Sequence, residues 1–180
     1  TKKTSEKNTA TLTPTESQLT TANSTVHPTT DDSGLQISTP TSGNCNPTDP
    51  LTPDSTPEGL SVKPYPSFPS DISKESSLNF AVSYERALQY NRYLSEYYYT
   101  SVKQLSVQNL HDTAANEFER GFLIPVDGEV SASRDGVTED IGFGAWYYVT
   151  ERFALRHEAD GTITRKNPET FSPSQIVACD

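Results

Sequence analysis

From Phe80 onward the apolar residues return at helical spacing: Phe80, Tyr84, Ala87, Leu88, Leu94 and Tyr98 share one stripe, with Asn91 on the same face. Asp71 and Ser73 stand ahead of this run as candidate N-caps, and Glu75 places a carboxylate in the first turn, where the helix dipole favours it. The spacing predicts a helix of about 25 residues. Asn91 then needs hydrogen-bond partners inside the stripe, and capping an adjacent strand is the ordinary way to supply them. After Thr100 the period changes to two. Leu105 and Val107 alternate with polar neighbours, followed by Phe122, Ile124 and Val126, then Val130 and Ala132. Further apolar runs span Ala145 to Val149 and Phe153 to Leu155, and Asp127-Gly128, Asp135-Gly136 and Asp160-Gly161 are hairpin-type turn dipeptides among them. One helix followed by a meander predicts an α+β domain over residues 70–180. In it a long N-terminal helix lies on a curved antiparallel sheet of about four strands. Cystatin-like and NTF2-like folds have this shape, which does not fix function.

Ahead of that domain the pattern fails. No aromatic residue occurs before Tyr65, and residues 1–43 contain 13 Thr, 6 Ser and 3 Pro. So little apolar surface does not offset the entropy of ordering, so residues 1–44 are expected to form a disordered stalk. Ser/Thr tracts with interspersed Pro resemble O-glycosylated stalks, and an unmodified linker is the alternative; either is a spacer. Asn23-Ser24-Thr25 is an N-glycosylation sequon, which makes Asn23 the candidate acceptor. Residues 45–69 differ again, with seven prolines between Pro47 and Pro69. They should form a stiff extended strap pinned to the domain by Tyr65 and Phe68.

Cys45 sits where stalk meets strap, and Cys179 is penultimate. Their spacing is not that of a zinc site and no His is adjacent, so a Cys45–Cys179 bridge joining the ends of the domain is expected. Such a bridge implies an oxidising compartment. The net charge of −10 disfavours nucleic acid as a partner, and no run is long and apolar enough for a membrane span.

Candidate chemistry is sparse. His27 lies in the stalk, His111 in a polar stretch, and His157-Glu158 at a strand end with side chains on opposite faces. A His111/Glu117/His157 metal site requires the sheet to bring them together. Gly142-Phe143-Gly144 is a lone GxG without a following helix, and no Ser has a nucleophile-elbow context. No catalytic residue, metal ligand or cofactor is expected. Tyrosine is the unusual component. Tyr90, Tyr93 and Tyr97 lie beside the buried stripe and, with Arg86, form a candidate surface for a glycan or an envelope protein.

Four segments carry a resemblance: Lys63-Pro64-Tyr65-Pro66, Glu75-Ser76-Ser77-Leu78-Asn79-Phe80, Tyr84-Glu85-Arg86-Ala87-Leu88-Gln89-Tyr90-Asn91, and Ala145-Trp146-Tyr147-Tyr148-Val149-Thr150 leading to Arg156. Together they resemble secreted lipoproteins of halophilic archaea. The resemblance implies export, lipid attachment at an N-terminal cysteine and surface display. Thr41-Ser42-Gly43-Asn44 before Cys45 is not a lipobox, so the anchor would precede Thr1. The expected function is a non-enzymatic extracellular, cell-surface domain on a glycosylatable tether, acting in envelope structure or recognition. One alternative is an NTF2-like small-ligand-binding or hydrolytic module with a deep pocket at Trp146 and Tyr148. The other is a subunit of a larger surface assembly.

Overall fold

A computed structural model describes residues 26–30, 35–40, 45–96, 102–109, 113–159, 170–171 and 175–180. Chain order is β1 (Val26–Thr30), β2 (Gln36–Pro40), α1 (Lys74–Glu96), β3 (Val102–Asn109), β4 (Asn116–Phe118), β5 (Gly121–Arg134), β6 (Val137–Thr150), β7 (Phe153–Glu158), β8 (Thr170–Phe171) and β9 (Gln175–Cys179). Among the described residues the architecture is α+β: a curled antiparallel sheet, forming half a barrel, holds one helix.

Ser73 starts the helix. Its hydroxyl accepts the Ser76 amide at 3.1 Å, and its own amide donates to Ser76 Oγ at 2.9 Å, a reciprocal cap. The helix rests on β5, β3 and β6. Phe80, Ala81, Tyr84 and Leu88 pack there against Ile124, Val126, Tyr147 and Val149. Tyr65 and Phe68 of the proline-rich segment close the outer side, with ring centroids 4.9 Å from Tyr84 and 5.9 Å from Phe80. Asn91 finds its partners in the same segment: its Nδ2 donates to Lys63 O and its Oδ1 accepts the Lys63 amide, both at 2.9 Å.

The main sheet runs β3-β5-β6-β7-β9, with β4 beside β5. Two expectations are corrected here. The helix is not N-terminal, because β1 and β2 precede it, and the sheet has five strands on its main path rather than four. The fifth is β9, a short strand ending in Cys179 that offers little periodicity to read. Asp135-Gly136 does turn the β5–β6 hairpin, with φ of 50° and 82° at the two residues. Asp127-Gly128 does not turn; it lies inside β5 opposite Gly144 and Phe143. A Cβ on Gly128 would stand 2.3 Å from Gln108 O and 2.5 Å from the Phe143 ring, so this glycine serves close packing. Asp160-Gly161 lies outside the described residues.

β5 also carries Pro125. On that side of β5, β4 pairs as far as Leu123 and β3 begins at Gly128, so the proline falls in a gap where no ladder amide is needed.

The other face of the sheet is covered too. Trp146, Tyr148, Leu123, Phe153 and Leu155 form a second cluster with Leu35 and Ile37. The segment expected as stalk thus supplies strand β2 and two fully buried side chains, 2 % and 0 % exposed. Leu35 and Ile37 alternate with polar neighbours, a period-two signal short enough to be lost among Thr and Ser. Replacing Ile37 with Ala should cost about 2–4 kcal/mol by leaving a cavity under Trp146. Trp146 is the sole tryptophan, so its emission reports the site directly. Unchanged emission and an unchanged urea midpoint would exclude this packing.

Candidate functional site

Polar groups enter the helix–sheet interface along one line of α1. Glu85, Gln89, Arg92 and Glu96 follow at i, i+4, i+7 and i+11 and so lie on one face. Across from them, Tyr147 of β6 pairs with Arg156 of β7, and Glu158 follows two residues later on the same side. The result is a chain of alternating charge from the core to the surface. Arg156 grips Glu85 with both donors, Nε to Oε2 at 2.7 Å and Nη2 to Oε1 at 2.8 Å. Tyr147 donates to Glu85 Oε2 at 2.5 Å and Gln89 Nε2 to Oε1 at 2.6 Å. Arg156 Nη1 also reaches Glu158 at 3.2 Å, and Arg92 holds Glu158 through two bonds of 2.6 and 3.1 Å. Glu85 and Tyr147 are 0 % exposed and Arg156 1 %. A carboxylate this deep is tolerable only because four donors satisfy it.

The electrostatics follow from this geometry. Burial works against the Arg156 charge, but the bonds and charge of Glu85 outweigh it and hold the guanidinium protonated. The Arg92 hydrogen bonds carry the Glu158 carboxyl down to about 2. Burial, with the Glu85 charge next, raises the Tyr147 hydroxyl well above its ordinary value. Burial likewise lifts Tyr84 and Tyr148 to about 12.

Each shift has a sign for stability. The Glu158 carboxyl is lowered in the folded state, so its contribution is present above the ordinary carboxylate range and is lost as pH falls toward 2. The tyrosine hydroxyls are raised, so theirs is complete below pH about 10 and is lost as pH rises through 12. Absorbance titration should therefore show a buried set of tyrosines ionising together with unfolding near pH 12. A single transition near 10, with the fold intact, would contradict the burial.

The network opens on a cleft of about 230 Å³, lined by Gln89, Arg92, Tyr93, Glu158 and the β6 segment Gly142-Phe143-Gly144. A larger hollow of about 760 Å³ lies on the opposite face of the sheet, beside Tyr148, Arg120 and Arg152. Of the two aromatics expected in a pocket, Tyr148 lines this hollow, whereas Trp146 does not and is packed on Leu35 and Ile37.

The tyrosine surface is also revised. Tyr90 and Tyr93 are buried, 6 % and 5 % exposed, because α1 is covered by the sheet on one side and by the Lys63 segment on another. Arg86 is exposed and shares a groove with Tyr90. Tyr97, Asn23 and His111 lie outside the described residues. His157 sits opposite Trp146 on β7 and Glu117 on the separate short strand β4, and no three His, Cys, Asp or Glu side chains gather as a metal site among the described residues. Cys45 and Cys179 are bonded as a disulfide. Among the described residues no helix is long and apolar enough to cross a membrane.

The Glu85–Arg156–Tyr147 network was not legible beforehand. Glu and Arg at helical spacing ordinarily form a solvated face, and only the sheet partners turn that face inward. The chain matches no protein-family model, no curated protein and no solved structure.

Proposed function

We propose that the chain is a non-catalytic domain displayed outside the cell on a glycosylatable tether, acting in envelope structure or recognition. The geometry of the polar network carries this reading: Arg156, Tyr147 and Gln89 spend their donors on Glu85, and Arg92 and Arg156 spend theirs on Glu158 at the surface. Acid–base catalysis near neutral pH needs groups moved toward neutrality. Here Glu158 moves down to about 2 and Tyr84 up to about 12, while Tyr147 and Arg156 also move away from neutrality. The network fixes charge in place and spends its hydrogen bonds on itself. The disulfide and the Thr/Ser/Pro-rich segment before it support export. A lipid anchor upstream of Thr1 belongs to the same reading.

Protease treatment of intact cells tests display. Cleavage in the Thr-rich segment should release a resistant fragment holding both cysteines, whereas protection until the cells are lysed would exclude surface exposure.

A second reading, an NTF2-like small-ligand or hydrolytic module, draws on the 760 Å³ hollow, where Arg120 and Arg152 stand near Tyr148. The cleft under the helix is the weaker candidate. At about 230 Å³ it is smaller than most small-molecule sites, and its arginine is already held by Glu158.

A further inference from the structure

The two ends of the main sheet are treated differently. At the β9 end the edge is covered: the Thr48 amide donates to Ile176 O at 2.7 Å, and the Cys45–Cys179 bond fastens the same segment to the strand. At the other end, β3 pairs with β5 alone among the described residues. An uncovered edge presents a row of backbone donors and acceptors.

Beside that edge runs a groove of about 470 Å³ between β3 and α1. Leu105, Val107 and Ala87 give it an apolar floor, Tyr90 a ring, and Lys63 and Arg86 its cationic rim. The Lys63 ammonium stands 5.0 Å from the Tyr90 ring centroid. Among the described residues no carboxylate lines the groove, although the chain as a whole carries −10.

We propose that the β3 edge takes up an extended acidic segment of a partner protein as an added strand. This deepens the reading of a displayed recognition domain by naming the face it uses. Backbone bonds to β3 supply affinity, and alternate side chains of the incoming strand enter the groove. One is apolar, against Leu105, Val107 and Tyr90; its neighbours carry carboxylates to Lys63 and Arg86. A second copy of the chain fits less well. β3 contains Lys103 and no acidic residue, so self-pairing would set two cationic margins against each other.

The test uses the disulfide-bonded full chain and fluorescein-labelled peptides of about ten residues, long enough to cover the edge strand. In one set Val and Glu take turns at every second position, with Thr between them, so that apolar and acidic side chains share one face of the strand; the control set replaces every Glu with Lys. The Glu set should bind about tenfold or more tighter than the Lys set. Bound peptide should slow hydrogen exchange at alternate amides of Val102–Asn109, and the double variant Lys63→Glu/Arg86→Glu should reverse the preference. Equal binding of both sets, protection away from β3, or concentration-dependent pairing of the chain through β3 would each overturn the proposal. The peptide-charge comparison on the unaltered chain keeps the test decisive if the variant does not fold. Surface display is scored separately by protease treatment, so a displayed domain that ignores the Glu peptides loses the edge proposal alone.

Discussion

Replacing Arg156 with leucine is expected to destabilise the domain by about 3–5 kcal/mol, among the largest effects of any single substitution. The substitution removes two of the four donors to Glu85 and leaves a fully buried carboxylate with only Tyr147 and Gln89. The size of the loss reflects the uncompensated charge rather than the net worth of the ion pair. That distinction is measurable. The combined variant Glu85→Leu/Arg156→Met/Tyr147→Phe removes charge and partners together, and it should recover most of the lost stability. Urea unfolding of both proteins gives the comparison. A small effect in Arg156→Leu, or a combined variant worse than the single one, would contradict a closed, self-satisfied network. The network also sets how the helix sits on the sheet, because the Glu85 carboxylate can meet Arg156 and Tyr147 in only one register.

Removing the disulfide by Cys45→Ser/Cys179→Ser is expected to cost a similar amount. The bridge spans 134 residues. The chain-entropy model assigns about 5 kcal/mol to a loop of that size, and measured losses fall at about 2–5. The damage should be local before it is global. Cys45 leads the segment whose Thr48 amide covers β9, so hydrogen exchange should accelerate first at Thr48, then along β9 and its β7 partners, with β3 last. Reduction that leaves both the unfolding midpoint and the exchange pattern unmoved would show that the segment is held without the bond.

The parts of the fold that were legible are those where one local signal governs. The 3.6-residue stripe from Phe80 and the Ser73 cap give α1, and the strict alternation at Leu105–Val107 and Phe122–Val126 gives β3 and β5. Asp135-Gly136 makes a hairpin because nothing competes with its turn preference. Asp127-Gly128 carries the same dipeptide, yet the approach of Gln108 and Phe143 puts its glycine to a different use. That is tertiary information, absent from any short window. Strand β2 was hidden for the opposite reason: Leu35 and Ile37 are too few to register in a Thr/Ser-rich background, although two side chains suffice to cover Trp146. Of the candidate site, the unusual tyrosines were visible but their direction was not. Tyr90 and Tyr93 turn inward, and the groove that keeps Arg86 and Tyr90 together depends on an edge strand and on Lys63 from a distant segment.

Intact mass with a non-reducing peptide map of protein purified from its source cells decides whether the chain is a disulfide-closed domain displayed on a modified tether. A linked Cys45–Cys179 peptide is expected, together with hexose-type mass on peptides from residues 1–34. Free thiols at both cysteines with an unmodified Thr-rich segment would contradict that reading and place the chain in a reducing compartment.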